Sequence, residues 1–448
     1  SFQEVLDLVN EKVKTAQPGE WIRGRGWDQN DWEIKEFPTH QALSMITPNN
    51  PVMLSRIDGH AILVNQMALD IAGVDSSTPD PAGGKIFHEL NGKPTGVFLD
   101  NAELLVTAKI PKYSTEKIRE IIQNGANRCA EFGLTGVHDA GIRISRIDDY
   151  KFLIDSQKMP LRINAMLSDT LVSDAKRFLQ KHKIDSYGED FLRVKSIKLY
   201  ADGALGSRGA ALLEPYNDDP ENSGLLVTGN SHILEICNAA LETGYQVCTH
   251  AIGDRAIRTV LDIYKQALNI NPIRDHRFRI EHSQIINFTD APRYSQLGVI
   301  PAMQPQHAVS DMPWTEDRIG PERVKGAYAF RTFLDNGLVI PCGSDFPVEI
   351  PNPLIGIHNA VSRQDKNGYP EGGWLPEQRM TVEEAIKGYT IWAAYAAFQE
   401  DILGSIEIGK LADFTILDQD ILTIEPKEIF NTKPLYTIVG GQVRYQAN

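Results

Sequence analysis

Four polar side chains stand at or near the ends of short apolar runs that read as parallel strands. They are Lys198, His250, His282 and Asp345. Imidazole nitrogen and carboxylate oxygen together suit Zn²⁺ and similar divalent ions, and a catalytic site leaves one coordination position open for water. A single strand-end histidine is most often a hydrogen-bonded core residue. Their recurrence at the same level of successive strands instead points to His250, His282 and Asp345 as metal ligands.

Lys198 lies in the segment VKSIKLYADG, where a charge near the end of a buried strand is costly unless it is paired or chemically altered. Carbamylation by CO₂ would turn this cation into a carboxylate that bridges two metals. Alternatively, the free amine would form a Schiff base with a carbonyl substrate. A plain salt bridge to Asp202 or Glu281 is the third interpretation, and the residue pattern alone leaves all three open.

The elements that position these residues alternate between strand and helix. Beyond Glu131, short β-branched runs are separated by longer helical patterns, which is typical of βαβ units and a parallel sheet. We therefore predict an α/β fold, a (β/α)8 TIM barrel, although a closed barrel needs eight strands. We expect the first strand to lie upstream of Ser1, so that it is missing from this chain. The seven strands predicted in the chain span residues 136–140, 161–167, 194–200, 246–250, 277–282, 299–303 and 338–345.

Turn-rich and strand-rich segments divide the chain into four predicted parts. Residues 1–19 are expected to form the first barrel helix, and residues 20–112 an inserted subdomain over the barrel mouth with a hairpin near 85–98. Residues 113–400 form the remainder of the barrel and include a helix predicted over 381–398. Short strands near 405–408, 413–417, 436–439 and 442–445 make residues 401–448 the C-terminal part of a small β-sandwich domain.

The composition excludes several classes of partner. Lys and Arg total 45 against 59 Asp and Glu, and the resulting net charge of -14 disfavours nucleic acid and anionic membranes. The sequence contains no run of 18 or more apolar residues, so it predicts no membrane span. The four cysteines are scattered without a CxxC pair, which is typical of reduced thiols and favours a cytoplasmic protein.

Several motifs together resemble the amidohydrolase superfamily. A strand-end lysine is followed by THAIGD at 249–254, RIEHSQ at 279–284 and GSDFPV at 343–348. KLYADGALGSR at 198–208 and RIDGH at 56–60 are similar to the amidohydrolase 3 branch, which includes N-substituted formamide deformylases. The tail GSIEIGKLADFTILDQD at 404–420 is similar to the segment by which these enzymes return to a β-sandwich domain beside the barrel.

The resemblance implies a set of metal ligands. In that superfamily the ligands are a His-x-His pair on the first strand, a lysine on the fourth, one histidine each on the fifth and sixth, and an aspartate on the eighth. Lys198, His250, His282 and Asp345 occupy the last four places if one strand is missing. No His-x-His occurs in this sequence, so we expect it upstream of Ser1. One or two zinc ions, with Lys198 carbamylated, are the implied cofactors.

The implied reaction is hydrolysis of a non-peptide C–N bond in a small amide-like substrate, of the N-acyl or N-formyl type. A divalent metal favours ionisation of water and polarises the substrate carbonyl. Asp345 would take the proton of the attacking water and pass it to the leaving nitrogen. His138 in GVHDAG, His60 and Arg208 are candidate substrate-binding residues, and each has a purely structural alternative.

Two other functions remain open from the sequence. A non-catalytic barrel that serves as a binding or regulatory protein would fit the absence of His-x-His. A Schiff-base lyase would use Lys198, although the strand-end histidines and Asp345 argue against it. Barrels of this kind often associate through their outer helices, which makes a homo-oligomer an expectation.

Overall fold

A computed structural model describes residues 1–168 and 170–447 of the chain. These residues divide into two compact units. The small unit comprises residues 1–112, 202–228 and 317–319, and the large unit comprises residues 113–201, 229–316 and 320–448. The inserted segment and the loop after Ala201 therefore belong to the same unit. The predicted four-part division of the chain stays a prediction.

The small unit is built on a five-stranded sheet whose strands follow the order Ile22–Trp27 (β1), Val52–Arg56 (β2), Ala61–Val64 (β3), Pro94–Asp100 (β5) and Gly84–His88 (β4). β1 and β2 run parallel, and the other pairs are antiparallel. The hairpin expected near residues 85–98 is confirmed as β4 and β5. The helices and strands of the small unit are α1 Phe2–Val13, β1 Ile22–Trp27, α2 His40–Ile46, β2 Val52–Arg56, β3 Ala61–Val64, α3 Gln66–Ala72, β4 Gly84–His88, β5 Pro94–Asp100 and α4 Leu104–Thr107.

Both faces of this sheet carry buried apolar residues. Successive side chains of a strand point to opposite faces, so a single strand contributes to both. On β2, Val52 and Leu54 pack into one apolar cluster and Met53 packs into another. Helix α1 places Leu6 and Val9 in the first of these clusters. The small unit thus has a hydrophobic core of its own.

The large unit alternates strands and helices as the sequence predicts. The helix at Met312–Arg323 is kinked at Gly320, and its residues 317–319 belong to the small unit. The elements are α5 Thr115–Glu131, β6 Gly136–Ile142, α6 Arg146–Asp155, β7 Arg162–Leu167, α7 Ala175–His182, β8 Ile184–Tyr187, β9 Leu192–Tyr200, α8 Asn230–Thr243, β10 Gln246–Ala251, α9 Asp254–Ile270, β11 Arg279–His282, α10 Ala291–Leu297, β12 Ile300–Ala302, α11 Pro305–Ser310, α12 Met312–Arg323, α13 Phe330–Asp335, α14 Pro353–Ser362, α15 Val382–Tyr389, α16 Ile391–Ala396, β13 Phe414–Leu417, α17 Pro426–Ile429, β14 Pro434–Val439 and β15 Gln442–Gln446.

The main sheet of the large unit is strongly curved. Parallel strands follow the order β12-β11-β10-β9-β7-β6, and β8 pairs antiparallel with β9. Four strand spacings separate β11 from β6, about 19 Å in a flat sheet. Yet Arg279 Nη1 of β11 lies 2.9 Å from His138 Nδ1 of β6. The sheet therefore curls around its interior as in a TIM-like barrel, while closure by an eighth strand stays a prediction.

The prediction of a regular last barrel strand over residues 338–345 is wrong. Residues 338–345 contain only an isolated parallel bridge between Cys342 and Met303. Pro341 lacks the N–H that a ladder requires, and Asp345 has a φ of 54°, outside the β region. The bridge is parallel and joins this segment to the residue after β12, as the predicted barrel requires, but no regular ladder forms.

The C-terminal segment forms a three-stranded antiparallel sheet, β13-β14-β15. Three of the four short strands predicted there are confirmed, whereas residues 405–408 form no strand. The helix predicted over 381–398 is split into α15 and α16, because Thr390 has non-helical angles, with φ -131° and ψ -99°. Membership of the three strands in a β-sandwich stays a prediction.

A buried ion pair ties this C-terminal sheet to the curved sheet. Arg162 of β7 and Asp413, just before β13, have side chains only 5% and 6% exposed. Arg162 Nε and Nη2 lie 2.7 and 3.0 Å from the two Asp413 carboxylate oxygens. This two-pronged geometry is the strongest form of an arginine–carboxylate contact.

No helix in the described part of the chain is long and apolar enough to cross a membrane.

Replacing Asp413 with alanine should lower the free energy of unfolding by about 3–5 kcal/mol, because Arg162 would be left buried without its counter-ion. Urea denaturation followed by circular dichroism measures this change. The control is Asp185→Ala, which removes the 69% exposed partner of Lys195 and should cost at most about 1 kcal/mol. Equal losses in the two variants would contradict the importance of the buried pair.

Candidate active site

Lys198, His250 and His282 lie on three adjacent strands, as the sequence predicts. They belong to β9, β10 and β11, and their residues are 4%, 2% and 7% exposed. The parallel register sets Lys198 opposite Cys248 and Ala251 opposite His282. The imidazole ring centroids of His250 and His282 are 4.6 Å apart. Two nitrogen donors therefore meet at the carboxyl ends of neighbouring parallel strands.

The orientation of the His282 ring is fixed by a hydrogen bond. Its Nδ1 lies 2.8 Å from Gln304 Oε1, which follows β12. An amide oxygen only accepts, so Nδ1 carries the hydrogen and Nε2 carries the lone pair. This is the arrangement by which a metal-binding histidine is usually held.

The backbone is strained where these side chains emerge. His282 and Ser283 have φ angles of 75° and 44°, and Asp345 has a φ of 54°. Left-handed angles are unfavourable for residues other than glycine and occur preferentially at functional sites. Here they allow the chain to turn directly after β11 with the His282 side chain held among buried groups.

Asp345 is not part of the compact histidine pair. It is exposed, although its carboxylate acts electrostatically on Lys198 and Tyr200. Within residues 1–168 and 170–447, no three His, Cys, Asp or Glu side chains are grouped closely enough to hold a metal ion. The structure thus brings two of the predicted ligands together, and the complete ligand set stays a prediction.

The Lys198 side chain is buried, and its amine contacts a neighbouring aromatic ring. Its Nζ lies 4.8 Å from the centre of the Tyr200 ring, a cation–π contact. Burial lowers the pKa of Lys198, and the negative charges of Glu281 and Asp345 oppose that effect only in part. Glu281 forms its ion pair with Arg279 instead, with Nε 2.8 Å from Oε1 and a hydrogen bond of 2.9 Å from Nη2 to Oε2.

Arg279 also determines the state of His138. A guanidinium only donates, so the 2.9 Å contact from Nη1 makes His138 Nδ1 an acceptor and leaves the ring hydrogen on Nε2. Burial, assisted by the charge of Arg279, lowers the pKa of His138 to about 3. His138 is therefore a neutral side chain with a fixed Nε2–H donor.

The other two predicted substrate-binding residues lie in the small unit. His60 Nδ1 is 2.7 Å from Asp100 Oδ1. Burial alone would lower the pKa of His60, but the hydrogen bond and charge of Asp100 outweigh it and raise that pKa to about 9. Arg208, with a φ of 59°, donates from Nη2 to Asp218 Oδ2 at 2.9 Å. Both side chains have carboxylate partners within their own unit.

The sequence prediction missed several buried polar residues of the large unit that surround the histidine pair. Arg279 lies in the RIEH run two residues before Glu281, on the same face of the strand, which was a usable signal. Gln304 and His307 follow the next strand in the run QPQH. Nothing in that run distinguishes them from loop residues without knowledge of the packing.

Neutral His138 should be visible by NMR of protein labelled with ¹⁵N in histidine. Its ring should report an Nε2–H tautomer and should not titrate between pH 8 and pH 5, because its pKa lies near 3. The His138→Gln variant assigns the signal. Replacing Arg279 with glutamine should raise the pKa, since a nearby positive charge is removed. A wild-type His138 that titrates near pH 6.5 would refute this assignment.

The chain is similar to several known proteins. Residues 1–445 match the amidohydrolase family. Protein LONG AFTER FAR-RED 3 of Arabidopsis thaliana is 36% identical over 456 residues, covering 99% of this chain and 77% of the relative. N-substituted formamide deformylase of Arthrobacter pascens is 28% identical over 458 residues, covering 100% and 83%. A solved structure described as an uncharacterized metal-dependent hydrolase from Pyrococcus furiosus is 29% identical, covers 93% and 82% of the two chains, and gives a TM-score of 0.69. The predicted resemblance is confirmed: the chain belongs to the amidohydrolase family.

Proposed function

We propose that this protein is a metal-dependent hydrolase that cleaves a non-peptide C–N bond in a small amide-type molecule. The observation that carries the proposal is the buried pair His250 and His282, whose rings adjoin at the ends of parallel strands. The similarity to a formamide deformylase and to a metal-dependent hydrolase supports the same reaction class.

The donor chemistry of this site fits a divalent cation. His250 and His282 would supply two nitrogen ligands, and the hydrogen bond from His282 Nδ1 to Gln304 presents the lone pair of Nε2. Asp345 and a carbamylated Lys198 would complete the set with oxygen ligands. A zinc ion bound there would polarise the substrate carbonyl and favour ionisation of water.

The protein's own residues would then guide the proton and the substrate. A water oxygen attacks the carbonyl carbon and the C–N bond breaks. Asp345 carries the proton from that water to the leaving nitrogen. His138, held neutral by burial and by the charge of Arg279, presents an Nε2–H that suits the substrate oxygen. The role of His60 and Arg208 in substrate binding stays a sequence prediction.

A Schiff-base lyase is the second candidate function. It is favoured by the buried amine of Lys198, because Glu281 of β11, whose negative charge acts on that amine, is engaged by Arg279. A lysine amine in such an environment attacks a carbonyl carbon, and the carbinolamine that forms loses water to give an imine. Borohydride reduction in the presence of a carbonyl substrate would trap that imine as a stable adduct, and the metal-dependent hydrolase would show none.

Metal content tests the proposed hydrolase directly. Plasma mass spectrometry on protein purified without chelator should find one or two equivalents of zinc or a similar divalent metal. His250→Ala should lose metal, because it removes a central ligand. Asp345→Asn should keep part of the metal but lose hydrolysis of a panel of N-substituted formamides and acetamides, because an amide cannot carry the proton.

The matched control is His276→Gln. His276 is a buried histidine of the same unit whose two ring nitrogens contact Leu297 O and Phe278 N, so its loss should leave metal content unchanged. A wild-type protein that holds no metal after reconstitution would overturn the metallohydrolase assignment.

A further inference from the structure

His307 is a buried histidine that neither the sequence prediction nor the proposed reaction uses. It lies in α11 and is 8% exposed. Its ring is nearly parallel to that of His282, with an interplanar angle of 12° and a centroid separation of 6.1 Å. His307 thus stands beside the histidine pair, on the side of His282.

The Nε2 atom of His307 is buried without a hydrogen-bond partner among residues 1–168 and 170–447. Other buried histidines of the large unit differ in this respect. His276 bonds through both nitrogens to Leu297 O and Phe278 N. His358 bonds to Pro426 O and to the Ser362 hydroxyl. Because buried polar atoms are nearly always satisfied, an orphaned one beside a candidate active site indicates a missing partner.

The position of His307 is set by the protein. Gln304 accepts the hydrogen bond from His282 Nδ1 with its side chain and from the His307 backbone N–H with its carbonyl, at 2.8 and 3.1 Å. Further along α11, Gln306 Nε2 donates to Asn352 O at 3.0 Å. Gln304 therefore orients the His282 ring with its side chain and holds the start of α11 with its carbonyl, and Gln306 anchors the same helix to Asn352.

We propose that His307 is a substrate-binding residue of the site around His250 and His282, and that its Nε2–H donates a hydrogen bond to the acyl oxygen of the substrate. This inference rests on the proposed function. The acyl oxygen gains negative charge as the water attacks, so a donor preorganised in a buried site favours the reaction. The same oxygen persists in the carboxylate product, which should occupy the same contact.

Two variants distinguish substrate binding by His307 from metal binding and from a purely structural role. His307→Phe removes the donor while keeping a ring, and His307→Gln retains an N–H group. Both should hold metal as the wild type does. Formate, used as a product-like probe in isothermal titration calorimetry, should bind roughly tenfold more weakly to His307→Phe, as expected for one lost hydrogen bond. His307→Gln should recover part of that affinity, and His276→Gln should bind formate normally.

Three outcomes would overturn the proposal. Metal lost from both His307 variants would make His307 a metal ligand. Formate affinity equal to wild type in His307→Phe would make it a structural residue. If the variants fail to fold, the wild-type protein decides, because the ¹⁵Nε2 resonance of His307 should shift on formate addition and an unchanged resonance refutes the contact.

The result also separates this inference from the proposed function. A wild-type protein that binds no metal and turns over no amide would refute the hydrolase itself. Normal metal content and turnover, together with unaltered formate binding in the His307 variants, would refute only the role of His307.

Discussion

The buried guanidinium of Arg279 is the constraint on which the curved sheet and its chemistry depend. It is 4% exposed and contacts both Glu281 on its own strand and His138 on β6. A buried cation without such partners would be very costly, because no water replaces them. The contact between Arg279 and His138 joins β11 to β6 across the interior of the curved sheet. Burial, assisted by the charge of Arg279, lowers the pKa of His138, and the same contact makes His138 Nδ1 an acceptor. One ionic group therefore joins two strands and orients a polar side chain.

That curvature brings the carboxyl ends of β9, β10 and β11 around one space. His250 and His282 meet there, and the left-handed backbone at His282 and Ser283 turns the chain away immediately afterwards. Gln304 then links the end of one strand to the beginning of α11, since it orients His282 and accepts from the backbone of His307. Packing, strain and hydrogen bonding converge on the same few residues, which is the pattern expected of a binding site held by rigid elements.

The small unit uses its motif residues in a different way. Asp100 has a φ of 49° and accepts from His60, and its second carboxylate oxygen packs against the glycine-rich loop. A Cβ at Gly203 or Gly209 would lie 2.5 or 3.0 Å from that oxygen, closer than atoms normally approach. Gly203 and Gly209 therefore leave the space that the Asp100 carboxylate occupies within this unit. Part of the sequence signature that resembles the family is structural in origin.

The sequence alone determined the alternation of strands and helices, the strand ends that carry Lys198, His250 and His282, and membership of the amidohydrolase family. The first two follow from local periodicity and from the rule that parallel strands align their carboxyl ends. The third follows from the motifs THAIGD, RIEHSQ and GSDFPV. The tertiary structure alone decided which polar side chains pair: Arg279 with Glu281 and His138, and Arg208 with Asp218. It also revealed buried His307 and reduced the predicted strand over 338–345 to a single bridge. Such outcomes depend on contacts between residues far apart in the chain, and no local pattern encodes which partner a side chain meets.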